Sequence, residues 1–85
     1  MHTFLLVVSS PEGEVFRQEV SALFVRGAEG DLAIMAGHTP FVTTVKPCNF
    51  KILFPDESTQ TGHTGGGLLT VSKEKVIFLS GKFTI

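Results

Sequence analysis

Apolar stretches in this chain are short and are cut by turn-forming residues every eight to twelve positions or so, the rhythm of a β-sandwich or barrel. Phe4-Leu5-Leu6-Val7-Val8 reads as a strand that is apolar on both faces, and Ser10-Pro11-Glu12-Gly13 places proline second and glycine fourth, as a type I turn prefers. From Glu14 to Arg26 the pattern is ambiguous. Phe16, Val20, Leu23 and Phe24 fall at helical spacing, whereas Val15, Phe16, Phe24 and Val25 favour extended chain. No other window is helical, so two strands are expected, Glu14–Gln18 and Val20–Gly27, meeting at a bend.

Gly27-Ala28-Glu29-Gly30 is the next turn, leading into Asp31-Leu32-Ala33-Ile34, and the Gly37 and Pro40 punctuation makes 36–40 a loop. A strand over Phe41–Lys46 stops at Pro47. Cys48, Phe50, Ile52 and Phe54 then alternate with Asn49 and Lys51, so one face is core and the other is wet. Pro55-Asp56-Glu57 turns the chain into a polar, Thr-rich edge strand over Ser58–Thr64. Gly65-Gly66-Gly67 bends into Leu68–Ser72, Lys73-Glu74-Lys75 is a tight turn, and Val76-Ile77-Phe78-Leu79 is a buried strand. Gly81 ends it, leaving a short tail to Ile85. The expectation is one all-β domain over 1–85, a flattened sandwich or barrel of nine to ten mostly antiparallel strands.

Composition narrows the function classes. At 85 residues with 42% apolar and 18% charged side chains, the chain can bury one core, and part of its apolar surface is available to a partner. All eight aromatics are Phe, so any contact hotspot must be built from Phe, Arg and backbone. A net charge of −1 with scattered Lys and Arg gives no footprint for nucleic acid or anionic lipid. The lone Cys48 excludes an internal disulfide and fits a reducing compartment. Met1-His2-Thr3-Phe4 has no basic leader character, and Phe4 to Val8 is far too short to span a bilayer. A cytoplasmic or matrix-like chain without direct membrane insertion is expected.

Catalytic and metal motifs fail their physical tests. His2, His38, His63 and Cys48 share no ligand spacing. Gly65-Gly66-Gly67 precedes a strand rather than the helix N-terminus that a phosphate cradle needs, and Gly81-Lys82 lacks the rest of a P-loop. His38 with Asp31 or a nearby hydroxyl leaves a small hydrolase as one alternative, and a ligand-binding β-module as another. One constellation asks for more. Between Gly27 and Pro40, glycines, two carboxylates and a histidine surround a short apolar strand.

That stretch, Gly27-Ala28-Glu29-Gly30-Asp31-Leu32-Ala33-Ile34 followed by Ala36-Gly37-His38-Thr39-Pro40, resembles the pattern of the F-type ATP synthase epsilon subunit, namely Gly-x-Glu-Gly-acidic-Leu-x-Ile and then Pro-Gly-His-x-Pro. The family's other landmarks follow in order. These are Leu6-Val7-Val8-Ser9 with Pro11-Glu12-Gly13 and Phe16, then Val45-Lys46-Pro47, then Gly65 to Val71 with Val76-Ile77-Phe78-Leu79. Two positions depart from it: Ala36 stands where the family usually has proline, and Cys48 where glycine is common.

The resemblance implies the amino-terminal β-sandwich of a non-catalytic rotor subunit. Such a subunit attaches the gamma shaft to the c ring and couples proton or sodium flow to ATP synthesis. It implies that Glu29, Gly30 and Asp31 meet the c ring and that His38, Thr39, Pro40 and Phe41 lie near gamma. The location it implies is peripheral, on the cytoplasmic face of a bacterial membrane or its organellar equivalent, with no cofactor. The family's helical hairpin, which restrains ATP hydrolysis and in some bacteria binds ATP, has no counterpart in these residues. Neither role is therefore carried over, and ATP binding is not expected.

Overall fold

The path of the chain is set by alternating burial. In the computed structural model, which describes residues 2–37 and 39–85, ten strands and no helix are found. They are β1 (Phe4–Ser10), β2 (Gly13–Val20), β3 (Ala22–Gly27), β4 (Gly30–Met35), β5 (Phe41–Val45), β6 (Cys48–Leu53), β7 (Thr59–Thr64), β8 (Gly67–Val71), β9 (Lys75–Ser80) and β10 (Phe83–Thr84). The helical spacing of Phe16, Val20, Leu23 and Phe24 is therefore incidental. Extended chain wins because Val20 still pairs with Phe4 in one layer while Leu23 pairs with Ile52 in the other.

The bend falls not at Glu19, where the expected strands part, but at Ser21, between Val20 and Ala22, where the Ser21 amide donates to Leu53 O at 2.7 Å. The chain thereby leaves β1 for β6, crossing from one layer to the next. Hydrogen-bonded neighbours run β10-β7-β6-β3-β5-β8-β9-β1-β2, with β4 paired to β3. β3 belongs to both layers, since Ala22–Phe24 pair with β6 and Gly27 pairs with Val45 of β5. Every pairing is antiparallel except β1 with β9.

Leu6, Val8, Val20, Leu23, Ile34, Phe50, Ile52, Leu69, Val76 and Phe78 fill the space between the layers. Each fully buried apolar side chain of this size contributes about 1.5–3 kcal/mol. The carboxyl-terminal tail is not loose, as β10 pairs with His63 and Thr64 of β7. Phe83 stacks on Phe50 (4.4 Å between centroids, 6° between planes) and lies 6.3 Å from Phe16 of β2. Side chains thus close the seam between the two ends of the sheet. β7 is an edge strand only up to the point where β10 covers it.

Under that seam, Thr64 and Ser80 are buried polar residues. Ser80 Oγ lies 2.9 Å from Thr64 Oγ1, 2.9 Å from Gly66 O and 2.8 Å from Lys82 O. The Gly66 amide donates to Thr64 Oγ1 at 3.1 Å. This network ties the ends of β7, β8, β9 and β10 together, and no buried side-chain polar atom is left without a partner among the described residues.

Candidate functional site

The β3–β4 hairpin closes in the tightest possible way, with Gly27 opposite Gly30 and Ala28-Glu29 at the tip. Gly30 has a φ of 127°, a conformation that side-chain-bearing residues rarely adopt. The turn therefore holds Glu29 out in solvent and sends Asp31 up the strand opposite Arg26. Arg26 Nε donates to Asp31 Oδ1 at 3.3 Å, with both side chains largely exposed. Such a pair is worth roughly 0–1 kcal/mol, so its effect is on charge display rather than stability. Glu29, Gly30 and Asp31 are thus brought to one end of the molecule.

The loop after β4 has a different end to itself. Gly37 has a φ of 80°, and Thr39 and Pro40 are exposed. His38 lies outside the described residues. Phe41 points the other way from Pro40's surface, half-buried and packed against the core cluster, with Val71 opposite it. Strand β4 separates this loop from the acidic hairpin. At roughly 3.4 Å per residue, its span from Asp31 to Met35 is roughly 14 Å.

The loop also opens onto a surface that sequence reasoning missed. On the outward side of β5, β8, β9 and β1, the register lines up Val42, Thr70, Ile77 and Val7 in one row and Thr44, Leu68, Leu79 and Ser9 in the next. Val42 is 61% exposed, Leu79 47% and Leu68 40%. β9 is therefore buried on one face only, with Leu79 turned outward, which corrects the expectation of a strand buried throughout. The available signal was Leu68 beside Leu69 and Ile77-Phe78-Leu79: consecutive apolar residues put one on each face. At the β2 rim of this surface Arg17 donates to Glu14 through Nε at 3.0 Å and Nη2 at 2.6 Å. That hydrogen bond holds the Glu14 carboxyl below its ordinary value.

A second feature belongs to other strands. β3 and β6 share a ladder only as far as Phe24, after which the Arg26 amide donates to Cys48 Sγ at 3.4 Å instead of a carbonyl. Pro47 has no amide to offer, and Lys46 N donates to Arg26 O at 2.9 Å. The strands part, leaving an open cleft of about 1160 Å³ lined by Phe24, Arg26, Leu32, Cys48, Lys51 and His63 among others.

Comparison with known proteins gives this geometry its context. The family model described as the ATP synthase delta/epsilon chain β-sandwich domain matches residues 3–84. The sodium-ion-specific ATP synthase epsilon chain of Acetobacterium woodii is 37% identical over 78 residues, covering 92% of this chain and 59% of that one. The ATP synthase epsilon chain of a Psychrobacter species is 36% identical over 80 residues, covering 94% and 58%. The chain thus spans under two thirds of the length of these relatives.

Among solved structures, a chain of the Euglena gracilis mitochondrial ATP synthase superimposes with a TM-score of 0.89 at 18% identity, over 96% of this chain and 52% of that chain. A chain of the Tetrahymena thermophila mitochondrial ATP synthase central stalk and c-ring structure gives 0.80 at 15% identity, over 96% and 66%. Both show a shared fold. With the family model matched along nearly its whole length, this chain belongs to the β-sandwich domain family of ATP synthase delta and epsilon chains.

Proposed function

We propose that this sandwich is a non-catalytic coupling part of the central stalk of an F-type ATP synthase, joining the gamma shaft to the c ring. The observation that carries the reading is the exposed apolar face. Leu68 and Leu79 pair directly in one row of it, and Val42, in the adjacent row, follows the loop at Thr39 and Pro40. A surface of that kind is what a permanent partner covers. Gamma is its occupant, with Thr39 and Pro40 at its margin. Phe41 supports the contact from beneath, because its ring faces the core. Glu29 and Asp31, held at the end of a rigid hairpin about a strand's length away, meet the polar loops of the c ring and steer orientation more than they add affinity.

The reading places the chain at the membrane periphery, on the cytoplasmic face in a bacterium. Among the described residues no helix is long and apolar enough to cross a membrane. Hydrolysis at His38 with Asp31 is the weaker reading. Asp31 is the second residue of β4, whereas Gly37 and Thr39, which flank His38, follow its far end.

Capture by gamma tests the proposal. Val42→Asp combined with Leu79→Asp should abolish co-purification with gamma while the circular dichroism spectrum stays that of the parent. Glu29→Lys with Asp31→Lys should keep gamma but weaken assembly on the c ring. Undiminished gamma capture by the first variant would overturn the assignment of the apolar face, and unchanged ion-coupled ATP synthesis by the second would overturn the assignment of the hairpin.

A further inference from the structure

The cleft between β3 and β6 shares no residue with the apolar face, and among its charged side chains the cations Arg26 and Lys51 outnumber the carboxylate of Asp31. Lys51 Nζ lies 5.6 Å from the centre of the Phe24 ring, and no carboxylate pairs with it among the described residues. Arg26 spends its Nε on Asp31. Its terminal amino groups enter no hydrogen bond among the described residues. Two side-chain acceptors of the cleft are engaged: Arg26 donates to Asp31 Oδ1, and Asn49 Oδ1 accepts from His63 Nδ1 at 3.0 Å. Arg26, Lys51, the Asn49 amide nitrogen and the Thr61 hydroxyl remain as donors around walls formed by Phe24, Leu32 and Ile85.

We propose that this cleft docks an acidic segment of a partner polypeptide, with carboxylates meeting Arg26 and Lys51 and an apolar side chain seated toward Leu32 and Cys48. Donors outnumber free acceptors, so an acceptor-rich, negatively charged occupant satisfies the cleft, and a basic one would leave charges of like sign facing each other. The opening argues for a chain segment over a small molecule. At about 1160 Å³ it exceeds the usual small-molecule pocket and is not enclosed. Nucleic acid fits poorly, because two cations and a histidine are too few to neutralise a run of phosphates. The cation over an aromatic ring is held in place before any partner arrives, which lowers the ordering cost of binding.

The test uses the isotope-labelled 85-residue chain alone, without gamma or c ring, so its outcome is independent of the central-stalk reading. Two peptides of equal length are titrated while amide resonances are followed, one alternating Glu with Leu and one alternating Lys with Leu. The acidic peptide should move the Phe24, Arg26, Lys51 and His63 signals saturably. Lys51→Glu should raise its Kd about tenfold, and Thr61→Lys should lower it. Both substitutions are at exposed positions, and dispersion of the spectrum reports folding directly. The proposal is overturned if the basic peptide moves the same signals equally, if Lys51→Glu leaves Kd unchanged, if single-stranded oligothymidine competes for the same resonances, or if the acidic peptide moves nothing.

Discussion

Replacing Gly67 by alanine adds one carbon atom where two strands are closest. Gly67 opens β8 opposite Ser80 of β9, and a Cβ there would fall well inside contact distance of the Leu79 carbonyl oxygen, 2.9 Å from its carbon and 3.1 Å from Ser80 Cα. The obstacle is backbone in a paired strand, so no rotamer change relieves it. β8 and β9 must separate by about 1.5 Å to restore an ordinary van der Waals distance. The loss of two ladder hydrogen bonds would cost about 1 kcal/mol each. Forcing extra volume into packed structure costs about 1–3 kcal/mol more. The sum, about 3–5 kcal/mol, is a large share of the roughly 4–13 kcal/mol expected of a chain of this length. In a thermal melt followed by circular dichroism, G67A should lose at least about 12 °C. Gly81→Ala is the control: nothing lies within 4 Å of its added carbon, so its melt should match the parent's. A G67A midpoint within about 3 °C of the parent would refute the reasoning about close approach.

Two other expectations follow from the same coordinates. Ser80→Ala leaves Gly66 O and Lys82 O without the buried hydroxyl and should lower the denaturant-unfolding free energy by about 1–3 kcal/mol, with the slope unchanged. Asp56 accepts from the Ser58 hydroxyl and from the Ser58 amide (2.9 Å), and these bonds, hydroxyl first, hold its carboxyl below its ordinary value. A depressed folded value contributes stability at neutral pH that is lost as pH falls through it. Asp56→Asn should therefore flatten the decline in stability below about pH 4. Midpoints recorded from pH 7 down to pH 2 check this, and an acid limb as steep as the parent's counts against it.

Strand positions were legible because turn residues mark them. Pro11-Glu12-Gly13, Gly27 to Gly30 and Lys73-Glu74-Lys75 each fall where the chain reverses or breaks between strands, and Cys48, Phe50 and Ile52 announced their inward face. Strand partnership was not legible. Nothing local tells Ser21 to carry the chain from β1 to β6, because the deciding hydrogen bond comes from Leu53. Phe83 read only as part of a short tail because its worth lies in a ring of Phe50, distant in sequence. At the site, the acidic hairpin could be read from Gly27, Glu29 and Gly30. Phe41 is half-buried against the core, and Val42, one residue on, holds the exposed position. The cleft depends on a thiol standing in for a carbonyl at Cys48, which only the three-dimensional register reveals.

The parallel seam between β1 and β9 sets a timetable for the growing polypeptide. Its partners, such as Leu5 and Lys75, stand about seventy residues apart, so β1 finds this neighbour only after about seventy further residues have been synthesised. Until then the β1–β2 ribbon carries Leu6, Val7 and Val8 along a bare edge, open to pairing with any passing strand. Long-range closure of this sort belongs to slow folders, and it makes birth rather than service the period of greatest exposure to misassembly.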